Sequence, residues 1–236
     1  MRYKITVMDN LLSSVQIQVG PKIFLKDPET SDLGRKIISG SIDVINEIGF
    51  EAFTFRKLGI AIQSPEASIY RYFENKNKLL LYLTSWYWAW MEYNLVFTIA
   101  NVKSPKEKLE RALSLLTSHR FTEDHRNFPH IKIDVLQKIL VAESSKAYLT
   151  KEVDAENKLG AYVAYKRFVG RLSMIILEIN PRYKYPHMLI STVIEGIHHQ
   201  RFFAAHLPSL TDFVKGEDSI SKCFSDLVFK SIATKK

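Results

Sequence analysis

The stretch from Phe53 to Leu80, FTFRKLGIAIQSPEASIYRYFENKNKLL, constrains the fold more than any other part of the chain. Thr54 is placed to cap a helix, because its hydroxyl can accept one of the free amides of an opening turn. Phe55, Leu58 and Ile62 recur at helical spacing and define one apolar face. Gln63-Ser64-Pro65 then breaks the pattern, with Ser64 read as the N-cap of a second short helix, Pro65 at its first position and Glu66 at the positive end of its dipole. In that helix Ala67, Ile69, Tyr70 and Phe73 are expected to pack inward, leaving Ser68, Arg71 and Tyr72 near the exposed side. Asn75 can cap a third helix with Lys76 in its first turn. Two short helices around a tight turn can set a recognition helix into a DNA major groove, but helical hairpins that bind no nucleic acid have the same shape.

The residue identities add a resemblance. Gly49-Phe50-Glu51-Ala52-Phe53-Thr54-Phe55-Arg56-Lys57-Leu58, followed by Ser68-Ile69-Tyr70-Arg71-Tyr72-Phe73 and by Lys76, Leu79 and Leu80, resembles the DNA-binding head of the TetR family of transcriptional regulators. The resemblance runs roughly from Leu33 to Leu83, about a fifth of the chain. It implies an all-α homodimer with a small N-terminal DNA head and a larger, variable, ligand-sensing body. The sequence departs from the family pattern at three places. Gln63 stands where the family has Gly, Ser64 where it has a hydrophobic residue, and Glu66 where it has a small or basic one. Gln63 is strained if the turn needs positive φ. Glu66 is repelled by phosphates yet can accept a hydrogen bond from a cytosine amino group.

Composition agrees with long helices. The chain has 236 residues, 46% of them hydrophobic, and only 9 Gly and 8 Pro. Cys223 is the single cysteine, so no intrachain disulfide can form, which suits a reducing cytoplasm. Neither a signal peptide nor an apolar run long enough to span a bilayer is visible, so no membrane role and a cytoplasmic location are expected. The net charge of +8 favours anionic partners. Residues 1–80 hold 11 Lys and Arg against 9 Asp and Glu, so most of the excess lies in the body. The DNA reading therefore rests on local placement. Arg56, Lys57, Arg71, Lys76 and Lys78 cluster within the head, where neutralising phosphates would release counterions and make affinity fall with salt.

Residues 1–30 read as an extended arm or small hairpin. Val15 to Val19 alternate apolar and polar, Gly20-Pro21 turns, and Ile23-Phe24-Leu25 follows. A helix from about Leu33 to Ile48 carries Ile37, Ile38, Ser41, Val44, Ile45 and Ile48 on its inner face and stops at Gly49. Asn75 to about Ala100 reads as one long helix, apolar on most sides and containing Trp86, Trp88 and Trp90. Trp86, Trp90 and Tyr93 are candidates to line an apolar ligand pocket, although for each alone core packing is the stronger reading. Further helices are expected from Ser104 to about Leu116, Ile131 to Leu149, Glu152 to Ile179 (capped by Thr150), Pro186 to Leu207 and Gly216 to Ile232. Tyr162 and Tyr165 join the pocket candidates, as does His199, which can meet Glu195 one turn away. The polar, aromatic stretch Ser118–His130 reads as a portal loop over a pocket. Its three histidines do not converge by spacing, so no metal site is expected.

These readings divide the chain into an arm (1–30), a helix-turn-helix head (31–80) and a helical ligand-binding and dimerisation body (81–236). In the head, Arg56, Lys57 and Lys76 would hold phosphates of double-stranded DNA, and Ser68, Tyr70, Arg71, Tyr72 and Glu66 would face bases or backbone, with Ser64 beside them in the turn. The resemblance implies a homodimer through the two C-terminal helices and a palindromic operator. The chain then reads as a repressor released by a small hydrophobic or amphipathic ligand. No phosphate loop, nucleophile elbow, zinc motif or cofactor signature is present, so no cofactor and no catalysis are expected. The rival reading is a helical small-molecule-binding or interaction protein of the same fold that has lost specific DNA binding.

Overall fold

A computed structural model describes residues 17–118 and 128–233. Its secondary structure is helical throughout, with no strand among the described residues. Ten α-helices follow in order: α1 (Asp32–Ala52), α2 (Phe55–Ala61), α3 (Glu66–Tyr70), α4 (Lys76–Ile99), α5 (Pro105–Thr117), α6 (Ile133–Tyr148), α7 (Val153–Lys158), α8 (Val163–Ile179), α9 (Pro186–His206) and α10 (Ser219–Ile232). Short 3-10 turns at Pro28–Thr30 and Pro208–Leu210 complete the list. The chain forms two compact units, one from residues 1–89 and 120–163, the other from residues 90–119 and 164–236.

In the first unit, α1 starts where Ser31 Oγ accepts the Gly34 amide at 3.2 Å. Of its expected inner face Ile37, Ile38, Ser41, Val44 and Ile45 are buried as the spacing requires, with Ile42 beside them, whereas Ile48, next to the kink, is 37% exposed. At Gly49 (φ 75) the helix kinks and then runs on to Ala52. Helix α6 is tied to α1 by ion pairs from Lys132 to Asp43 and from Lys146 to Glu51, both at 2.7 Å. Between α7 and α8 the expected single helix is interrupted: Gly160 adopts φ 88, a conformation that side-chain-bearing residues pay to enter. The continuous helix expected from Glu152 to Ile179 is therefore two helices.

The expected N-terminal hairpin begins at Val15 and Gln16, outside the described residues, and residues 17–27 form no ladder. Instead the segment turns at Gly20, where the Ile23 amide donates to the Gly20 carbonyl at 3.2 Å, and buries Ile17 and Ile23. The Leu25 amide then donates to the Tyr72 carbonyl at 2.8 Å. Pairing to the head replaces pairing to itself, because an isolated two-stranded hairpin is marginal in water. Most of the expected portal loop, residues 119–127 with His119 and His125, also lies outside the described residues.

The second unit holds the rest of α4 with α5, α9, α10 and nearly all of α8. Ser104 caps α5 by accepting the Glu107 amide at 3.4 Å, and Leu109, Ala112, Leu113 and Leu116 form its buried stripe. Asp218 caps α10 by accepting the Ser221 amide at 3.1 Å. Arg201 on α9 donates to the Thr117 carbonyl and to Asp218, both at 2.7 Å, locking the end of α5 to the start of α10. Asn180, after α8, donates to the Ile232 carbonyl at 2.9 Å and so fastens the last turn of α10.

Candidate nucleic-acid interface and body sites

Thr54 Oγ1 accepts the Lys57 amide at 3.2 Å, and α2 buries Phe55, Leu58 and Gly59. The turn closes through the Ser64 amide, which donates to the Gly59 carbonyl at 2.8 Å. A Cβ on Gly59 would stand 2.7 Å from the Ser64 carbonyl oxygen, so this close crossing needs glycine. Gln63 sits at φ 53, the left-handed region where a side chain adds strain. Ser64 does not cap α3. The N-cap position falls on Pro65, which has no side-chain donor or acceptor, and the Ser68 amide donates to the Pro65 carbonyl at 2.9 Å.

Helix α3 buries only Ile69. Ala67, expected inward, is exposed, and Glu66 and Ser68 are half-buried. The two tyrosines exchange the places expected of them. Tyr70 is 47% exposed, its ring edge-on to Phe55 at 4.9 Å, while Tyr72 is 3% exposed. The Tyr72 hydroxyl lies 2.8 Å from Ser31 Oγ, and Lys26 Nζ lies 5.1 Å from its ring centre. The hydrogen bond with Ser31 is the main reason that the phenol's pKa falls below its ordinary value. Past residue 70 the chain leaves the helix, so the 3.6-residue period no longer decides which side chain faces out.

The cations divide similarly. Lys76 Nζ reaches the carbonyls of Phe50, Glu51 and Phe53 at 3.0, 3.1 and 3.3 Å and sits over the Phe50 ring. Its three donors thus satisfy the C-terminal end of α1, where orphan carbonyls and the negative end of the dipole collect. Lys57 is exposed and places one donor 2.8 Å from the Ala52 carbonyl. Arg56 and Arg71 are exposed and have no ion pair among the described residues. Arg56, Tyr70 and Arg71 are therefore the open set, with Lys57 partly engaged.

The body candidates fall in different units. In the first, Trp86 is 1% exposed and meets Phe128 edge-on at 5.2 Å. The Tyr162 hydroxyl lies 2.9 Å from both the Ala147 carbonyl and Glu156 Oε2. Burial, then the Glu156 hydrogen bond, raises its pKa well above that of a free phenol. In the second unit Trp90 is wholly buried, and Tyr93 packs on Phe97 at 4.6 Å. The Tyr165 hydroxyl donates to Glu195 Oε1 at 3.5 Å, and His199 is exposed and stacked on Phe203. Burial raises the Glu195 pKa, opposed by the charge of His199 and the hydrogen bond from Tyr165. Among the described residues no group of His, Cys, Asp and Glu could hold a metal ion.

One cluster escaped the sequence reading. Glu92 on α4 is 7% exposed, forms an ion pair with Arg167 Nε at 2.9 Å and accepts a hydrogen bond from Arg171 Nε at 3.0 Å, both from α8. The two arginines are four residues apart, which signals a shared helix face, but nothing local ties them to residue 92.

Comparison with known proteins gives a consistent result. Residues 37–83 match the family described as bacterial regulatory proteins, tetR family. The crystal structure of AibR in complex with isovaleryl coenzyme A and operator DNA superposes with a TM-score of 0.54 at 16% identity, over 83% of this chain and 97% of that one. The fatty acid degradation regulator FadR from Bacillus halodurans superposes with a TM-score of 0.57 at 15% identity, over 89% and 96%. Identities this low establish a shared fold. No curated protein sequence matches the chain.

Proposed function

The chain belongs to the TetR family of bacterial regulatory proteins through the head built by residues 37–83, and from that premise we propose that it is a repressor released from a palindromic operator by a small acyl-type ligand. The observation that carries the reading is α3, a helix with a single buried residue, Ile69, flanked by the unpaired cations Arg56 and Arg71. Arg56, Lys57 and Arg71 neutralise phosphates, and Tyr70, Ser68 and Glu66 meet the groove. Tyr72 and Lys76 serve the head's own structure.

A homodimer through α9 and α10 sets two copies of α3 about one DNA turn apart, roughly 34–36 Å. Met188 on α9 and Leu227 on α10, 66% and 44% exposed, support an interface there. AibR is solved with isovaleryl coenzyme A and operator DNA, and FadR regulates fatty acid degradation, so an acyl-bearing ligand suits a body with a positive excess. The continuous helix α4 begins in the head and ends among the second unit's residues, and a ligand that prefers one position of α4 lowers DNA affinity by its differential affinity for that state.

Selection of bound duplexes from a random pool, repeated at two salt concentrations, tests the reading. A palindrome with half-sites one turn apart is expected. Weak binding without a motif, vanishing as salt rises, would favour the second reading, a ligand-binding protein of this fold without operator specificity. Glu66, an acid in the first turn of α3, is the observation that keeps that reading in play.

A further inference from the structure

A groove of about 410 Å³ runs along α8, within the second unit. Arg167, Gly170, Arg171, Ser173, Met174 and Leu177 line it, with His187 of α9 at its side. These residues recur three and four apart, so they share one flank of the helix. The volume lies within the range of small-molecule sites, and the lining sets the two arginines, Ser173 and His187 beside Gly170, Met174 and Leu177.

The arginines are held in an unusual way. Glu92 is buried, and each of its carboxylate oxygens faces one Nε, Oε2 in an ion pair with Arg167 at 2.9 Å and Oε1 accepting from Arg171 at 3.0 Å. One carboxylate between two guanidinium groups leaves a net positive charge. The side chains remain 57% and 43% exposed, and neither makes another hydrogen bond among the described residues. Their Nη donors are thus oriented but unused, and a guanidinium fork matches the paired oxygens of a carboxylate or phosphate. Next to this charge, Met174 is 58% and Leu177 36% exposed. Ser173, fully buried at the same groove, has an Oγ with no hydrogen-bond partner among the described residues. If the cluster served stability alone, a buried carboxylate held by two half-exposed arginines would be a poor exchange for apolar packing.

We propose that this groove binds an anionic amphipath, with Arg167 and Arg171 holding a carboxylate or phosphate head and Met174, Leu177 and the open side of Gly170 receiving the start of its apolar chain. Glu92 is the positioning residue that fixes both guanidinium groups. The binding site stands on its own geometry, and only its consequence for operator release rests on the regulator reading above.

The test titrates the full-length protein, by calorimetry below the micelle concentration, with sodium dodecanoate, dodecanoyl coenzyme A and dodecanol. At least one of the two anions is expected to bind ten-fold or more tightly than the alcohol, and which one does so identifies the head group as carboxylate or phosphate. A Cβ at Gly170 meets nothing within 4 Å, so Gly170→Phe fills the groove without striking the core and is expected to weaken that anion at least ten-fold. Arg171→Gln leaves Glu92 paired one-to-one with Arg167, keeps the fold, and is expected to weaken the anion while leaving the alcohol unchanged. Equal binding of alcohol and anions would overturn the proposal, as would wild-type anion affinity in both variants. A change in sedimentation of Gly170→Phe with anion affinity intact would overturn it too, marking the groove as a contact between copies of the chain. Anion binding that depends on Arg171 but does not release operator DNA would support the site and count against the inducer role.

Discussion

Of the five residues of α3 only Ile69 is buried, whereas in α4 the run from Leu79 to Glu92 is buried without a break. The two helices are neighbours in the chain and draw their stability from different sources. A five-residue helix cannot persist alone, since nucleation costs more than so few hydrogen bonds return. Ile69 and the contact of Tyr70 with Phe55 hold α3 down, and its remaining surface is free to meet something outside the protein. Within that run the tryptophans and leucines face the protein on every side, so it carries the core and has no face left for DNA, while beyond it Val96 and Phe97 are 40% and 59% exposed. A substitution should therefore change affinity in α3 and stability in α4.

The largest expected effect is on the α4 side. Trp90→Ala, at a wholly buried position, should cost about 3–5 kcal/mol in denaturant unfolding. A loss under 1 kcal/mol would mean that α4 is not the core element described. The same contrast extends to ionisable groups in the body. His198 on α9 is buried, and burial, with the charge of His199 adding to it, pushes its pKa down to about 4. Between pH 6.5 and 4 the unfolded chain takes up a proton that the folded chain refuses, so stability present above pH 6.5 is lost as pH falls through this window. The total is roughly 3 kcal/mol. His198→Phe should flatten that part of the stability curve, and an unchanged slope would assign it to other groups.

Lys76 and Arg71 sharpen the comparison where the two helices meet. Lys76→Met should lower stability by about 1.5–3 kcal/mol, through the three carbonyls left without their charged donor, and should leave the salt dependence of DNA binding unchanged. Arg71→Ala should do the reverse. It should lower operator affinity by about 1–3 kcal/mol and the slope of log affinity against log salt by about 1, with Tm unmoved. If Lys76→Met reduced the salt slope and Arg71→Ala did not, the division of the head's cations drawn above would be wrong. The smallest effect is at the turn. Gln63→Gly relieves about 1 kcal/mol of strain at φ 53, offset in part by a freer unfolded chain, for a net gain of about 0.5 kcal/mol in thermal unfolding.

The sequence pattern was most informative where structure is local. The caps at Thr54 and Asn75 are made as the residues imply, with Asn75 Oδ1 accepting the Lys78 amide at 2.9 Å. The buried face of α1 follows its apolar spacing as far as Ile45. The interruption at Gly160 is not marked by the pattern, because a single glycine within a periodic run reads as a tolerated helix position. Ser64 was misplaced for a related reason: cap preference named it, but the tight Gly59 crossing moved the start of α3 one residue on.

The sequence by itself determined that the chain is helical, where most helices begin, and that residues 53–80 make a helix-turn-helix with the TetR pattern. These properties depend on neighbours three and four residues away, and such neighbours are written next to one another in the chain. Only the tertiary structure decided that Tyr72 turns in to Ser31 while Tyr70 turns out. It likewise decided that Lys76 serves the end of α1, and that Glu92 gathers two arginines from more than seventy residues away. Whether a charge is free to meet a ligand depends on which carbonyls and carboxylates the fold brings within hydrogen-bond range. Packing between distant segments sets those distances, and a 3.6-residue period carries no record of them.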